Sequence, residues 1–309
     1  MPKFDFIGNR RTWFIVSLVV LVIALGGLFL RGLNLGIDFT GGMTYNLTFQ
    51  KPVSAAQVRT VLDRDHVGNS LIQLVGTESG HTSKNVLIET PTLSESARAT
   101  LQADLQSSLG KYQIVGFDKV TGTFSSELVK AGVLAVLIAS LAIVLYMMIR
   151  FDFRFALTGI AAIFYDAIVT IGLVALIHFQ VSQNIVPAVL IIIGYSLNDR
   201  IIIFDRIREN LRLRKRGEPL QELTNRSLNQ TLARSIITAV VVIMAMLALL
   251  VFGGTTTQDL SAAILIGVIF GAYSSILFAS PLWFVWVDST ERAQAATSSR
   301  NRAKAKASR

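Results

Sequence analysis

The chain has 309 residues, 52% hydrophobic and only 16% charged, with a mean hydropathy of +0.54. That composition excludes an ordinary soluble globule, which carries about 25% charged residues. The absence of cysteine excludes disulfides and thiolate metal sites, and three scattered histidines, His66, His81 and His178, make no metal-ligand pattern.

Six stretches approach the roughly 20 apolar residues needed to cross a bilayer: 13–30, 131–149, 155–177, 185–204, 235–252 and 260–287. The first follows Lys3, Arg10 and Arg11 but is too long for a signal-peptide core, and no small-residue cleavage site follows it. It is expected to remain as the first membrane helix, so the fold class is a polytopic α-helical membrane protein with six transmembrane helices.

The net charge of +9 is explained by topology rather than by nucleic acid. Of 29 Lys and Arg, nineteen lie on one side: three up to Arg11, two in 150–154, eight in 205–234 and six after Val287. The turns 178–184 and 253–259 have none. The positive-inside rule therefore puts both termini and the basic loop 205–229 in the cytoplasm.

Residues 32–129, between the first two spans, have the composition of a small soluble domain, extracytoplasmic by that topology. Their pattern predicts strands at 43–49, 71–75, 86–89 and 113–120 and helices at 55–64 and 95–109. Ser54 with Gln57, and Thr92 with Glu95, have capping-box spacing. The order β-α-β-β-α-β suggests a ferredoxin-like α+β sheet with helices on one face. Between the first helix and this sheet, Asp38 to Gly42 reads as a tight turn, with Asp38 satisfying its amides. Gly41-Gly42 makes no phosphate loop, because no lysine and no helix follow.

The loop 205–229 reads as a basic amphipathic helix, a break at Gly217-Glu218-Pro219, and a second short helix. Its arginines are expected to face water and anionic lipid, worth about 1 kcal/mol each. Residues 288–309, rich in Ala, Ser, Lys and Arg, read as a disordered basic tail. Gly159, Gly172, Gly194, Gly267 and Gly271 are small residues of the kind that let membrane helices approach.

Charges within the apolar stretches carry the functional signal. Asp166 lies mid-span in the third, and Asp199-Arg200 near the end of the fourth. A charge at a helix centre costs about 2.5–3.5 kcal/mol to insert, so such residues mark ion pathways or buried pairs. Asp166 is open to two readings, a second relay carboxylate or a packing acceptor. Adjacent side chains on a helix diverge by about 100°, so Arg200 is expected to meet Asp166 or a partner's carboxylate rather than Asp199.

Around these charges the sequence reads Gly194-Tyr195-Ser196-Leu197-Asn198-Asp199, then Asp205-Arg206-Ile207-Arg208-Glu209-Asn210. Gly36 to Gly42, Arg150-Phe151, Asn229-Gln230-Thr231, Gly271 to Ser275 and Ala279-Ser280-Pro281 fall around it in order. This series resembles the SecD/SecF family of bacterial protein-export membrane proteins, related to resistance–nodulation–division transporters. The resemblance implies a non-enzymatic subunit in the bacterial inner membrane that uses the proton-motive force to promote late steps of secretion. It implies as partners SecD, the SecYEG translocon, YajC and YidC, membrane lipid and the translocating polypeptide. No cofactor is implied beyond a coupling ion, a proton or sodium. Asp199 and Arg234 are the positions it implicates in proton passage. Arg200, where the family has a small hydroxyl residue, and Tyr165, where it has histidine, are departures, as are Pro187 and Thr123. Half of an efflux or lipid pump and a purely structural translocon subunit stay open as alternatives.

Overall fold

The computed structural model describes residues 4–76, 82–253 and 255–307; Lys3 and His81 lie outside them. Six helices are long and apolar enough to cross a membrane. Helix α1 (Arg10–Arg31) leads through a two-residue strand β1 (Asn34–Leu35) and a single turn α2 (Ile37–Thr40) into the domain. The domain comprises β2 (Gly42–Ser54), α3 (Ala55–Arg64), β3 (Leu71–Val75), β4 (Thr82–Thr90), α4 (Glu95–Leu109) and β5 (Tyr112–Val120). The membrane body then follows as α5 (Gly122–Arg150), α6 (Phe153–Leu176), β6 (Gln180–Val181), α7 (Ile185–Arg212), α8 (Leu220–Phe252), α9 (Thr255–Ser274), a π turn (Ser275–Ala279) and α10 (Ser280–Ala307).

The domain is the antiparallel sheet that its alternation predicts, in the order β3-β4-β2-β5. Met43, Tyr45, Leu47 and Phe49 recur every second residue on β2, so all fall on one face of the strand. That face is buried against Val58, Val61 and Leu62 of α3 and Leu101 and Leu105 of α4. The Ser54–Gln57 capping box closes in both directions, with Gln57 N donating to Ser54 Oγ at 3.3 Å and Ser54 N donating to Gln57 Oε1 at 2.8 Å. The second cap differs from expectation. Ser94, not Thr92, precedes α4 and accepts from Ala97 N at 3.2 Å, because its backbone is the extended residue next to the first helical turn.

Four further expectations are corrected. Helix α5 begins at Gly122, immediately after the sheet, so the helix of the second span includes the polar residues that precede its apolar run at Ala131. The basic helix expected after Phe204 is present to Arg212 but is continuous with the helix of the fourth span rather than a separate element. The second short helix of the basic loop is the first part of α8, which runs on into the fifth span. Nothing after Pro281 breaks a helix, and the alanine-rich tail has high helical propensity, so α10 extends to Ala307 through the segment expected to be disordered.

Domain and membrane body are joined by more than the chain. Strands β1 and β6 pair in parallel, Asn34 with Gln180 and Leu35 with Val181. Asp38 Oδ2 accepts from Gln183 N at 2.9 Å, so it satisfies an amide of the loop before α7 rather than those of its own turn. Gly41 has φ 78°, a left-handed conformation that favours glycine, and a Cβ on Gly42 would strike the Thr90 carbonyl and Ile37. Gln180 Nε2 donates to Glu89 Oε2 at 2.6 Å. Burial pushes the Glu89 carboxyl above its ordinary 4.5; the Gln180 bond works against this and the nearby Asp38 adds to it.

Within the membrane body, α1 packs closely on α6 because Gly27 and Gly172 are both glycine. A Cβ on Gly172 would meet the Ala24 backbone, and one on Gly27 the Gly172 carbonyl. Gly159, Gly267 and Gly271 likewise face Met147, Ile192 and Ser196, whereas Gly194 meets no residue of this chain and faces outward.

Two outcomes follow. Gly172→Val should cost about 1–3 kcal/mol by overpacking, read as a lower thermal midpoint in detergent. Since the folded state holds the Glu89 proton more tightly than the unfolded chain, Glu89 costs stability as pH rises from 4.5 through its raised folded value. Glu89→Gln should therefore raise the thermal midpoint at pH 7–8, and the difference should vanish toward pH 4.

Candidate functional site

The polar centre of the body forms where α7 passes between α6, α8 and α9. Asp199 and Arg200 are consecutive on α7, and the helical rotation of about 100° per residue sends them to different neighbours. Asp199, 5% exposed, turns to α8, where Ser235 Oγ donates to its Oδ1 at 2.5 Å. Its second oxygen, Oδ2, is buried with no hydrogen-bond partner. Ser275, the first residue of the π turn, lies beside it and donates its own hydroxyl to the Gly271 carbonyl at 2.8 Å.

Arg200 is fully buried and turns the other way. It forms an ion pair with Asp166 of α6, itself 1% exposed, and donates to Ser274 Oγ at 2.7 Å. Of the two partners expected from sequence, Asp166 is therefore the one found. Ser196, also on α7, lies beside Asp166 and against Gly271, where a Cβ would displace its hydroxyl. Tyr165 does not join this cluster. Its hydroxyl donates to the Ser17 carbonyl of α1 at 3.1 Å and its ring stacks on Phe278, so it packs α1 against α6.

Arg234 is placed one residue before Ser235 on α8 and is exposed. Its charge acts on Asp199 through space, but among the described residues its side chain makes no hydrogen bond or ion pair. Sequence reasoning named the charges at this centre but gave no role to the hydroxyls that address them, Ser235 and, within the Gly271 to Ser275 motif, Ser274. Their signal was a recurrence of serine inside apolar helices, where a hydroxyl has few partners other than another helix.

The remaining signature residues lock the end of the body opposite the domain. Asp205 accepts from Arg150 Nη2 at 2.7 Å and from Arg208 Nη2 at 2.9 Å, while Arg208 Nη1 donates to the Arg150 carbonyl at 3.1 Å, satisfying the end of α5. Gln230 Oε1 accepts from Arg206 Nε at 2.6 Å and Asn210 Nδ2 at 2.9 Å, tying α7 to α8. Asn229 holds the Phe4 backbone in both directions, and Asn225 accepts from Ile7 N, so the segment before α1 is strapped onto α8. The Gly8 amide on Asp5 holds its carboxyl below the usual range, against the effect of burial. Several arginines expected to face water and anionic lipid also make surface ion pairs within the chain, Arg214 with Glu291 and Arg226 with Glu218 among them. Arg212, Lys215 and Arg216 stay exposed.

Comparison with known proteins accounts for this arrangement. Residues 100–289 match the family described as protein export membrane protein SecD/SecF, C-terminal, and residues 26–53 match the SecD/SecF GG motif. The chain is 38% identical over 284 residues to the protein translocase subunit SecF of Acidaminococcus fermentans, covering 92% of this chain and 97% of that one. It is 34% identical to the protein translocase subunit SecDF of Thermus thermophilus, covering 92% of this chain and 39% of that longer protein. The crystal structure of SecDF from the same organism superposes with a TM-score of 0.79 at 35% identity, over 93% of this chain and 39% of that one. With the family model matched over more than half its length and a relative aligned nearly end to end, this multi-pass membrane protein belongs to the SecD/SecF family of protein-export membrane proteins.

Proposed function

We propose that this chain is the auxiliary export subunit in which Asp199 takes up and returns the coupling proton, paired with a SecD subunit and assisting secreted polypeptides through the Sec translocon. The observation that carries this reading is the inequality of the two buried carboxylates. Each has one oxygen without a hydrogen-bond partner, Asp166 Oδ1 and Asp199 Oδ2, but the other oxygen of Asp166 is held by the Arg200 cation and that of Asp199 by the neutral Ser235 hydroxyl. A proton on Asp199 discharges no ion pair, whereas one on Asp166 would leave the Arg200 charge without its counterion. Moving one charge through 100 mV is worth about 2.3 kcal/mol, which biases a two-state equilibrium roughly fifty-fold. The serine contact is on α8, so a change in the charge of Asp199 alters what holds α7 to α8. No covalent chemistry and no cofactor are needed.

A helical partner is supported by the outward faces. Gly194 and Asn198, one turn apart on α7, are both exposed, as is Arg234 at the start of the fifth span. An amide facing lipid has no partner there, while a glycine next to it allows a second helix to approach closely. The Thermus relative carries SecD and SecF in one name and one longer chain. The excess of basic residues on the side opposite the domain favours cytoplasmic termini and an extracytoplasmic domain.

Asp199→Asn should insert and pair normally yet lower the completion of export in membrane vesicles by more than tenfold; undiminished export would favour a purely structural subunit. Gly194→Leu, which meets nothing within this chain, should leave its own thermal stability unchanged and reduce copurification of SecD severalfold.

A further inference from the structure

Two carboxylates are buried in one helix cluster, and the reading above uses one of them. We propose that Arg200 fixes this division of labour: by pairing with Asp166 and Ser274 it withdraws Asp166 from proton exchange, so that the chain loads a single proton, at Asp199, in each cycle. The inference rests on the reading of Asp199 as the coupling site and specifies its stoichiometry.

The geometry argues it in three steps. Arg200 has no exposed surface, so its charge is not shared with water; its ion pair with Asp166 makes a unit of zero net charge between α7 and α6. Breaking such a buried pair from one side leaves an uncompensated charge, whereas removing both partners together is tolerated. Asp166 therefore cannot exchange protons without losing the arrangement that makes its burial acceptable. The same guanidinium reaches a third helix, because Nη2 also donates to Ser274, the last residue of α9. The backbone changes to π geometry at the next residue, Ser275, which lies beside Asp199. Arg200 is in this sense a positioning residue: it holds the point from which the π turn departs, and Ser275 is presented to Asp199 from there. Pro281, which lacks an amide hydrogen, follows the turn, and Ser280 Oγ donates to the Ser275 carbonyl at 3.0 Å, so the π segment is anchored at both ends.

The charged and titratable groups around the two carboxylates are few. They are Arg200 and Tyr195 from α7, Tyr165 from α6, Tyr273 by way of Tyr165, and Arg234 from α8. Tyr165 and Tyr273 both direct their hydroxyls to α1, where Tyr273 lies 3.0 Å from Ser17 Oγ. That leaves Arg200 as the cation bonded to Asp166, and no cation bonded to Asp199 among the described residues.

The test uses inverted membrane vesicles carrying the full chain with its SecD partner, measuring the rate of completed translocation per inserted chain against pH. The unsubstituted complex should show one titrating step, and Asp199→Asn should abolish it. Arg200→Gln should add a second step, from Asp166, and reduce the maximal rate by about tenfold or more, as expected for breaking one side of a buried pair. Arg200→Lys should keep a single step. The double substitution Asp166→Asn with Arg200→Gln should also return to a single step, and it decides the matter if Arg200→Gln fails to accumulate. Two steps in the unsubstituted complex, one step in Arg200→Gln at the wild-type rate, or two in the double variant would overturn the inference. A complex that keeps full activity and its pH dependence with Asp199→Asn would instead overturn the reading of Asp199 itself, whatever the Arg200 variants do.

Discussion

The centre of this protein depends on consecutive residues of one helix pointing to different neighbours. Were Asp199 and Arg200 able to bond each other, the body would contain a neutral pair and a stray carboxylate on α6. Because an α-helix separates adjacent side chains by about 100°, Arg200 is delivered to Asp166 and Asp199 to Ser235. Three charges that would each be costly in a bilayer become one neutral pair and one carboxylate held by a hydroxyl. Asymmetry between the acids is thus a consequence of helix geometry, and the proposed coupling rests on it.

Around that centre the two ends of the molecule are fastened by different chemistry. At the end opposite the domain, aromatic packing of Phe155 on Trp283 and of Phe151 on Phe204 is framed by the Asp205, Gln230 and Asn229 clusters. At the domain end the ties are a short parallel strand pair, the Asp38 contact, the Glu89–Gln180 bond, and bonds from Arg31 and Asn34 to the Leu176 and His178 carbonyls. The tie through Glu89 involves a carboxyl whose protonation responds to its surroundings.

The π turn belongs to the same arrangement. An α-helix continued through Ser275 would rotate the following residues by a fraction of a turn relative to α9. The wider π geometry, next to a proline that cannot supply an amide hydrogen, resets that rotation just where the helix meets Arg200 and Asp199. Gly271 makes the approach possible, since any side chain there would occupy the space of the Ser196 hydroxyl.

By itself the sequence determined the six spans, the β-α-β-β-α-β order of the domain, the Ser54 cap and the charges to examine. Each of these is encoded locally, by hydropathy over about 20 residues, by alternation, or by a hydroxyl three residues before an amide. The family motifs were legible too, as ordered short strings. Whether Arg200 would meet Asp166 or a partner's acid was left open, and Thr92, Asp38 and the tail were read wrongly. Those outcomes depend on what stands opposite a residue once the chain has packed: Ser94 rather than Thr92 abuts the first turn, and Gln183 rather than its own turn meets Asp38. Only the tertiary structure decided that Asp166 would be paired with a cation and Asp199 with a hydroxyl, because partner choice between residues 34 positions apart is set by the rotation and crossing of α6, α7 and α9, which no local pattern records.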